Sequence, residues 1–183
     1  MTGFAGWTAP KSEQFNLEKS CITLQPPGGP WGLAGASGTV MKLLLIQGAN
    51  MEYLGRRQPE LYGTTTAKEL DALLRRRARA LGVILDILYT NTEGEAVSAI
   101  YKAERAGVDG ILFNPAGFLH AGHALRDCLA SVKVPSIEIH MTNIEKRGRR
   151  SLTAESAVGM IAGFGVDSYV LALEAIVSRL GRA

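Results

Sequence analysis

From Met41 onward the chain alternates short apolar runs with stretches of helical spacing, and few folds accept that alternation. Residues 43–46 form a run of strand length. Leu70, Leu73, Leu74, Ala78 and Leu81 then recur at helical intervals, and Gly82 ends the segment. Residues 83–89 predict a second strand, and 95–106 a second helix closed by Gly107. Residues 110–113 and 134–139 predict strands three and four, with a helix over 121–131 between them. A fifth strand is expected over 157–162. The last helix, over 167–180, carries Tyr169, Ala172, Leu173, Ile176, Val177 and Leu180 on one stripe. Alternating strands and helices with short links specify an α/β fold, a doubly wound parallel sheet with helices on both faces. Five such units predict a flavodoxin-like, five-stranded order.

Residues 1–40 break the pattern. They hold four of the seven prolines and both tryptophans, Trp7 and Trp31, and no apolar period persists. We expect a poorly ordered extension over 1–40 and a single domain over 41–183. A natural start at Met41 is a second expectation for the same boundary.

Composition excludes several classes. A net charge of +3 is too mild to argue for nucleic acid by itself. Arg75, Arg76, Arg77 and Arg79 read as the solvated face of an amphipathic helix. Two cysteines, Cys21 and Cys128, make no disulfide framework or metal motif. No apolar run approaches a membrane span, and the amino terminus lacks the apolar core of a signal peptide. These features predict a soluble cytoplasmic protein. His120 and His123 lack an acid or a cysteine pair at ligand spacing, so no metal is expected. Gly163-Phe164-Gly165 lacks the third glycine of a dinucleotide loop and precedes the wrong helix.

The stretch 48–63 carries the chemistry. It joins the first strand to a helix that Thr66-Ala67-Lys68-Glu69 opens as a capping box. At roughly 16 residues it exceeds the usual 2–6 of such a link. Arg56 and Arg57 precede Tyr62, and guanidinium groups beside a phenol favour its anion. Two readings stand: an activated tyrosine base on a mobile lid, or a basic surface loop with one packed aromatic.

In such a sheet, ligands bind at the carboxyl ends of the strands. Strand one ends at Gln47 and Asn50, and strand two at Thr90, Asn91, Glu93 and Glu95. Strand three runs into Asn114 and His120, and strand four into Glu138, His140 and Asn143. Four sets of polar groups at one rim point to a small polar ligand. His120 and Asp127, two helical turns apart, are expected on the rim side of helix three. Glu138 and His140 share a strand face, where the carboxylate can orient the imidazole or favour its charged form.

These residues fall into four motifs. They are Gly48-Ala49-Asn50 with Leu54-Gly-Arg-Arg-Gln-Pro-Glu-Leu-Tyr-Gly63; Asn91-Thr-Glu-Gly-Glu95; Asn114-Pro-Ala-Gly-Phe-Leu-His120 with Ala124-Leu-Arg-Asp127; and Ile137-Glu-Ile-His-Met-Thr-Asn143. In this order and spacing, residues 41–183 resemble the type II 3-dehydroquinate dehydratases. The resemblance implies a hydro-lyase that converts 3-dehydroquinate to 3-dehydroshikimate without metal or cofactor, in the shikimate pathway or in quinate breakdown. It implies Tyr62 as the base, Arg57 as its partner on the lid, and Asn50 as the holder of a water at the enolate oxygen. His140 would be the general acid, supported by Glu138. Asn114 and the amides of Met141 and Thr142 would bind the carboxylate, and His120 a ring hydroxyl. Asp127 would come from a neighbouring subunit of a dodecamer built of trimers.

The sequence departs from the family at Ala49, where proline is usual, and at Gln47, where asparagine is usual. Leu119 and Ala121 replace threonines on either side of His120. The segment after Asn143 is shorter by about three residues, on the resemblance. Arg149 is carried as the arginine that binds ring hydroxyls, with Arg147 and Arg150 left open. The alternative function is a related protein with an altered substrate, or one that binds a ligand without turnover.

Overall fold

The computed structural model describes residues 40–181; the expected amino-terminal extension lies outside the described residues. β1 (Lys42–Ala49) is followed by a 3-10 turn (Met51–Tyr53), α1 (Pro59–Tyr62) and α2 (Ala67–Ala80). Then come β2 (Ile84–Tyr89), α3 (Glu93–Arg105), β3 (Gly110–Ala116), α4 (His123–Ser131) and β4 (Ser136–His140). Two 3-10 turns (Glu145–Arg147 and Thr153–Ser156) lead to β5 (Gly159–Ala162) and α5 (Asp167–Leu180). The strands are all parallel in the order β2-β1-β3-β4-β5, which is flavodoxin-like.

Local chemistry accounts for the boundaries. The capping box opens α2: Thr66 Oγ1 accepts from the Glu69 amide at 3.2 Å, and Glu69 Oε2 accepts from the Thr66 amide at 2.8 Å. β4 starts at Ser136, later than the apolar run predicts, because Pro135 has no N–H for the ladder. α4 starts at His123, because residues 118–122 turn tightly and both Ala121 and Gly122 donate to the Phe118 carbonyl. The long link of 48–63 is not structureless, since α1 sits within it.

Strand alternation divides the core in two. Leu45, Leu112 and Ile139 face α2 and α5, where they meet Leu70, Leu74, Leu173 and Ile176. Ile46, Ile111 and Phe113 face α3 and α4, where they meet Ile100, Leu125 and Leu129. Each such side chain, fully buried, contributes roughly 1.5–3 kcal/mol. Register sets Gln47 level with Tyr89 on β2 and with Asn114 on β3. At Gly48 a Cβ would stand 2.2 Å from the Pro115 carbonyl oxygen, so only glycine lets β1 and β3 approach there. Among the described residues no helix is long and apolar enough to cross a membrane.

Candidate active site

A cleft opens where β1, β3 and β4 end, and Asn50, Asn114, His120, His140, Met141 and Thr142 line it. Arg57 and Tyr62 enter from the link after β1, and Arg147 and Arg149 from the turn after β4. The cleft thus lies at the switch point between β1 and β3, where the chain crosses from one side of the sheet to the other.

Among the described residues, three that are not glycine adopt the left-handed region: Asn50 (φ 75°), Gln58 (φ 43°) and Ala116 (φ 45°). Asn50 and Ala116 line the cleft, and Gln58 begins α1. Such backbone conformations cost energy and persist where the surroundings fix them. At Asn50 the amide donates to Asn91 Oδ1 at 2.8 Å, and Asn91 Nδ2 donates to Glu52 at 2.8 Å. The polar set after β2 therefore stands behind the cleft, correcting its expected place on the rim. Thr90 donates to Glu95 at 2.5 Å, and Glu93 accepts the Leu125 amide in α4 at 3.1 Å.

Tyr62 closes α1, which Pro59 starts in the position that spares a helix its first N–H. The Arg57 guanidinium carbon lies 5.7 Å from the Tyr62 ring centre, and that of Arg147 lies 5.8 Å from it. Arg147 Nη1 also donates to Thr142 Oγ1 at 3.0 Å and to the Tyr62 hydroxyl at 3.4 Å. Arg149 lines the cleft as well. Arg150 does not; its side chain is 83% exposed and pairs with Glu155 at 3.3 Å. Of the three arginines the sequence offers, Arg149 as carried and Arg147 reach the cleft, and Arg147 is the one bonded to the tyrosine.

Glu138 and His140 are both buried, with Glu138 Oε1 and His140 Nε2 2.6 Å apart. Glu138 Oε2 accepts from Thr153 Oγ1 at 2.6 Å, and Ser151 lies 3.2 Å from Thr153. With Nε2 engaged by the carboxylate, Nδ1 is the ring nitrogen left for a ligand. Asn114 is buried too: Oδ1 accepts the Ala116 amide at 3.0 Å, and Nδ2 donates to the Tyr169 hydroxyl at 2.6 Å.

His120 is exposed in the turn before α4 and lines the cleft. Asp127 does not line it; its side chain is 67% exposed and pairs with Arg126 at 2.8 Å. The expected sharing of a helix side by His120 and Asp127 fails because the helix begins only at His123. Sequence reasoning missed Thr153 and the hydroxyl of Tyr169. Neither carries a local signal, since each meets its partner across a long stretch of chain.

Comparison with known proteins bears on this geometry. The family model described as Dehydroquinase class II matches residues 41–177. The 3-dehydroquinate dehydratase of Xanthomonas campestris pv. campestris (strain 8004) is 46% identical over 143 residues, covering 76% of this chain and 97% of that protein. The crystal structure of a type II dehydroquinase from Butyrivibrio crossotus DSM 2876 superposes with a TM-score of 0.73 at 30% identity, covering 75% of this chain and 97% of that one. A type II dehydroquinase from Propionibacterium acnes gives 0.72 at 33% identity, over 76% and 99%. On the family match and the identity to these relatives, the chain belongs to the class II dehydroquinase family.

Proposed function

We propose that this chain is a hydro-lyase that removes water from 3-dehydroquinate to give 3-dehydroshikimate. The observation that carries the reading is one cleft lined both by a tyrosine beside two guanidinium groups and by an imidazole that a buried carboxylate holds. A base and an acid on separate elements suit an elimination that first takes a proton and then protonates the leaving hydroxyl, which departs as water.

In this reading Tyr62, as phenolate, takes the proton from the carbon beside the ketone. Arg57 and Arg147 offer the positive charge that the phenolate needs. The electron pair moves to the ketone oxygen, giving an enolate, and Asn50 orients a water against that oxygen. The enolate then collapses, the C–O bond breaks, and His140 gives its proton to the leaving hydroxyl. Glu138 holds the imidazole in place during that step. Asn114 and the amides of Met141 and Thr142 take the substrate carboxylate, His120 a ring hydroxyl, and Arg149 the hydroxyls across the cleft. No cofactor is needed, because each step moves only protons and an electron pair.

The catalytic unit is residues 41–183, in the cytoplasm, serving either aromatic biosynthesis or quinate breakdown. Its assembly in this reading is a dodecamer of trimers, with Asp127 reaching a neighbouring copy; the exposure of that side chain supports the contact. The test is turnover of 3-dehydroquinate, followed by the ultraviolet absorbance of the conjugated product, with Tyr62→Phe beside it. Turnover that vanishes in the variant is expected. Equal turnover in both proteins removes Tyr62 from the mechanism, and binding without turnover favours the ligand-binding alternative. Native mass spectrometry checks the assembly, and an active monomer would rule out the dodecamer.

A further inference from the structure

Behind the cleft, hydrogen bonds run inward from Asn114 to Tyr169 and Gln47, two residues that the proposed chemistry does not touch. Gln47, Tyr89 and Asn114 stand level on three neighbouring strands, and Tyr169 comes from α5 with its side chain fully buried. Donor directions along this row are forced. The Ala116 amide can only donate, so Asn114 presents Oδ1 to it at 3.0 Å and turns Nδ2 to Tyr169 at 2.6 Å. That nitrogen can only donate, so the phenol oxygen accepts. The phenol proton then goes to Gln47 Oε1, at 2.7 Å. Burial pushes the Tyr169 phenol above its ordinary value, which favours the neutral form that carries this proton. The row stops at Gln47, whose Nε2 is buried without a hydrogen-bond partner among the described residues, while Tyr89 beside it donates to Asp71 Oδ1 of α2 at 2.8 Å.

Asn114 has one N–H left after this arrangement. It points at Met51 Sδ, 3.6 Å away, a weak acceptor that also lines the cleft. A carboxylate entering the cleft would be the better acceptor. We propose that Tyr169 and Gln47 are positioning residues for substrate binding, which lock the Asn114 amide with its remaining N–H offered to an anionic group in the cleft. The inference rests on the reading of Asn114 as a carboxylate ligand.

The experiment is steady-state kinetics of Tyr169→Phe and Gln47→Met in the full chain, with thermal melting of each and Asn114→Ala as the control. Tyr169→Phe removes one oxygen atom; Gln47→Met keeps length and removes the acceptor. Each is expected to raise KM about tenfold while kcat stays within about twofold. A lowered melting temperature with wild-type KM in either folded variant overturns the proposal, because the row would then be structural only. A raised KM in Asn114→Ala with wild-type KM in the other two overturns the relay and leaves the role of Asn114 standing. An unchanged KM in Asn114→Ala overturns that role, and the relay with it.

Discussion

Thr153 donates its hydroxyl to one oxygen of Glu138 while the other oxygen engages His140, both at 2.6 Å. Glu138 is therefore held from both sides before any ligand arrives, and the imidazole it carries is held with it. A carboxylate at 1% exposure depends on such partners, since burying an anion without them is costly.

Thr153→Val keeps the shape and removes the donor. One oxygen of Glu138 is then left unsatisfied, at a cost of roughly 1–3 kcal/mol. Urea denaturation should show that loss, and kcat should fall with it as the imidazole loosens. Wild-type stability in the variant would mean that the threonine hydroxyl is not needed to hold the carboxylate.

Arg147 and Arg150 separate the two roles an arginine can take in this short turn. Arg147→Ala removes a guanidinium bonded to the Tyr62 hydroxyl and should cost on the order of 10²–10³ in kcat. Arg150→Ala removes a side chain that is 83% exposed and should leave kcat and KM near wild type. Parallel steady-state assays decide it, and equal losses in both would refute the assignment of Arg147.

Gly48→Ala should fail even though alanine is small. Its methyl would stand 2.2 Å from the Pro115 oxygen and 2.8 Å from that of Asn114, so β1 and β3 must part. The expected result is a lowered melting temperature together with lost turnover, because Asn50 sits two residues on. A melting temperature and turnover equal to wild type would show that the strand ends yield freely.

High pH should weaken the fold in a defined way. Burial pushes the Tyr169 phenol far above its ordinary value, and burial with Asp71 does the same to Tyr89. Unfolded, both would ionise near pH 10. Their contribution is thus fully present below about pH 10 and is lost as pH rises beyond it, because the unfolded chain then releases protons that the folded chain keeps. Melting temperatures from pH 8 to 11 should fall at the alkaline end, and less steeply in Tyr169→Phe. Identical slopes would show that these phenols do not set the limit.

The fold was legible because its signals are local. Of the α5 stripe predicted from Tyr169 to Leu180, Tyr169, Ala172, Leu173, Ile176 and Val177 are buried and Leu180 is half-buried, and the capping box at Thr66 is present in full. The candidate site was legible where motif and strand end coincide, as at Asn50, Asn114 and His140. It was not legible where orientation depends on chain reversal. Whether Arg147, Arg149 or Arg150 enters the cleft turns on the left-handed backbone of Gly148, which periodicity cannot reveal. Asn91 looked like a ligand-facing residue because strand ends are where ligands bind, yet it supports Asn50 from behind. Tyr169 read as one more member of an apolar stripe, and its hydroxyl left no trace in the pattern.

The cleft draws on both sides of the sheet, and this has a consequence for how damage spreads. Asn114 follows Leu112 onto the side packed by α2 and α5, whereas Glu138 and His140 lie on the side packed by α3 and α4. In the proposed chemistry the first side seats the anchoring group and the second side protonates the departing one. Loosening Leu173 or Ile176 should then appear first as weaker capture, and loosening Leu125 or Leu129 as slower release of water. A survey of interior substitutions would sort by the helix layer each one disturbs, so kinetics alone could report which half of the interior had given way.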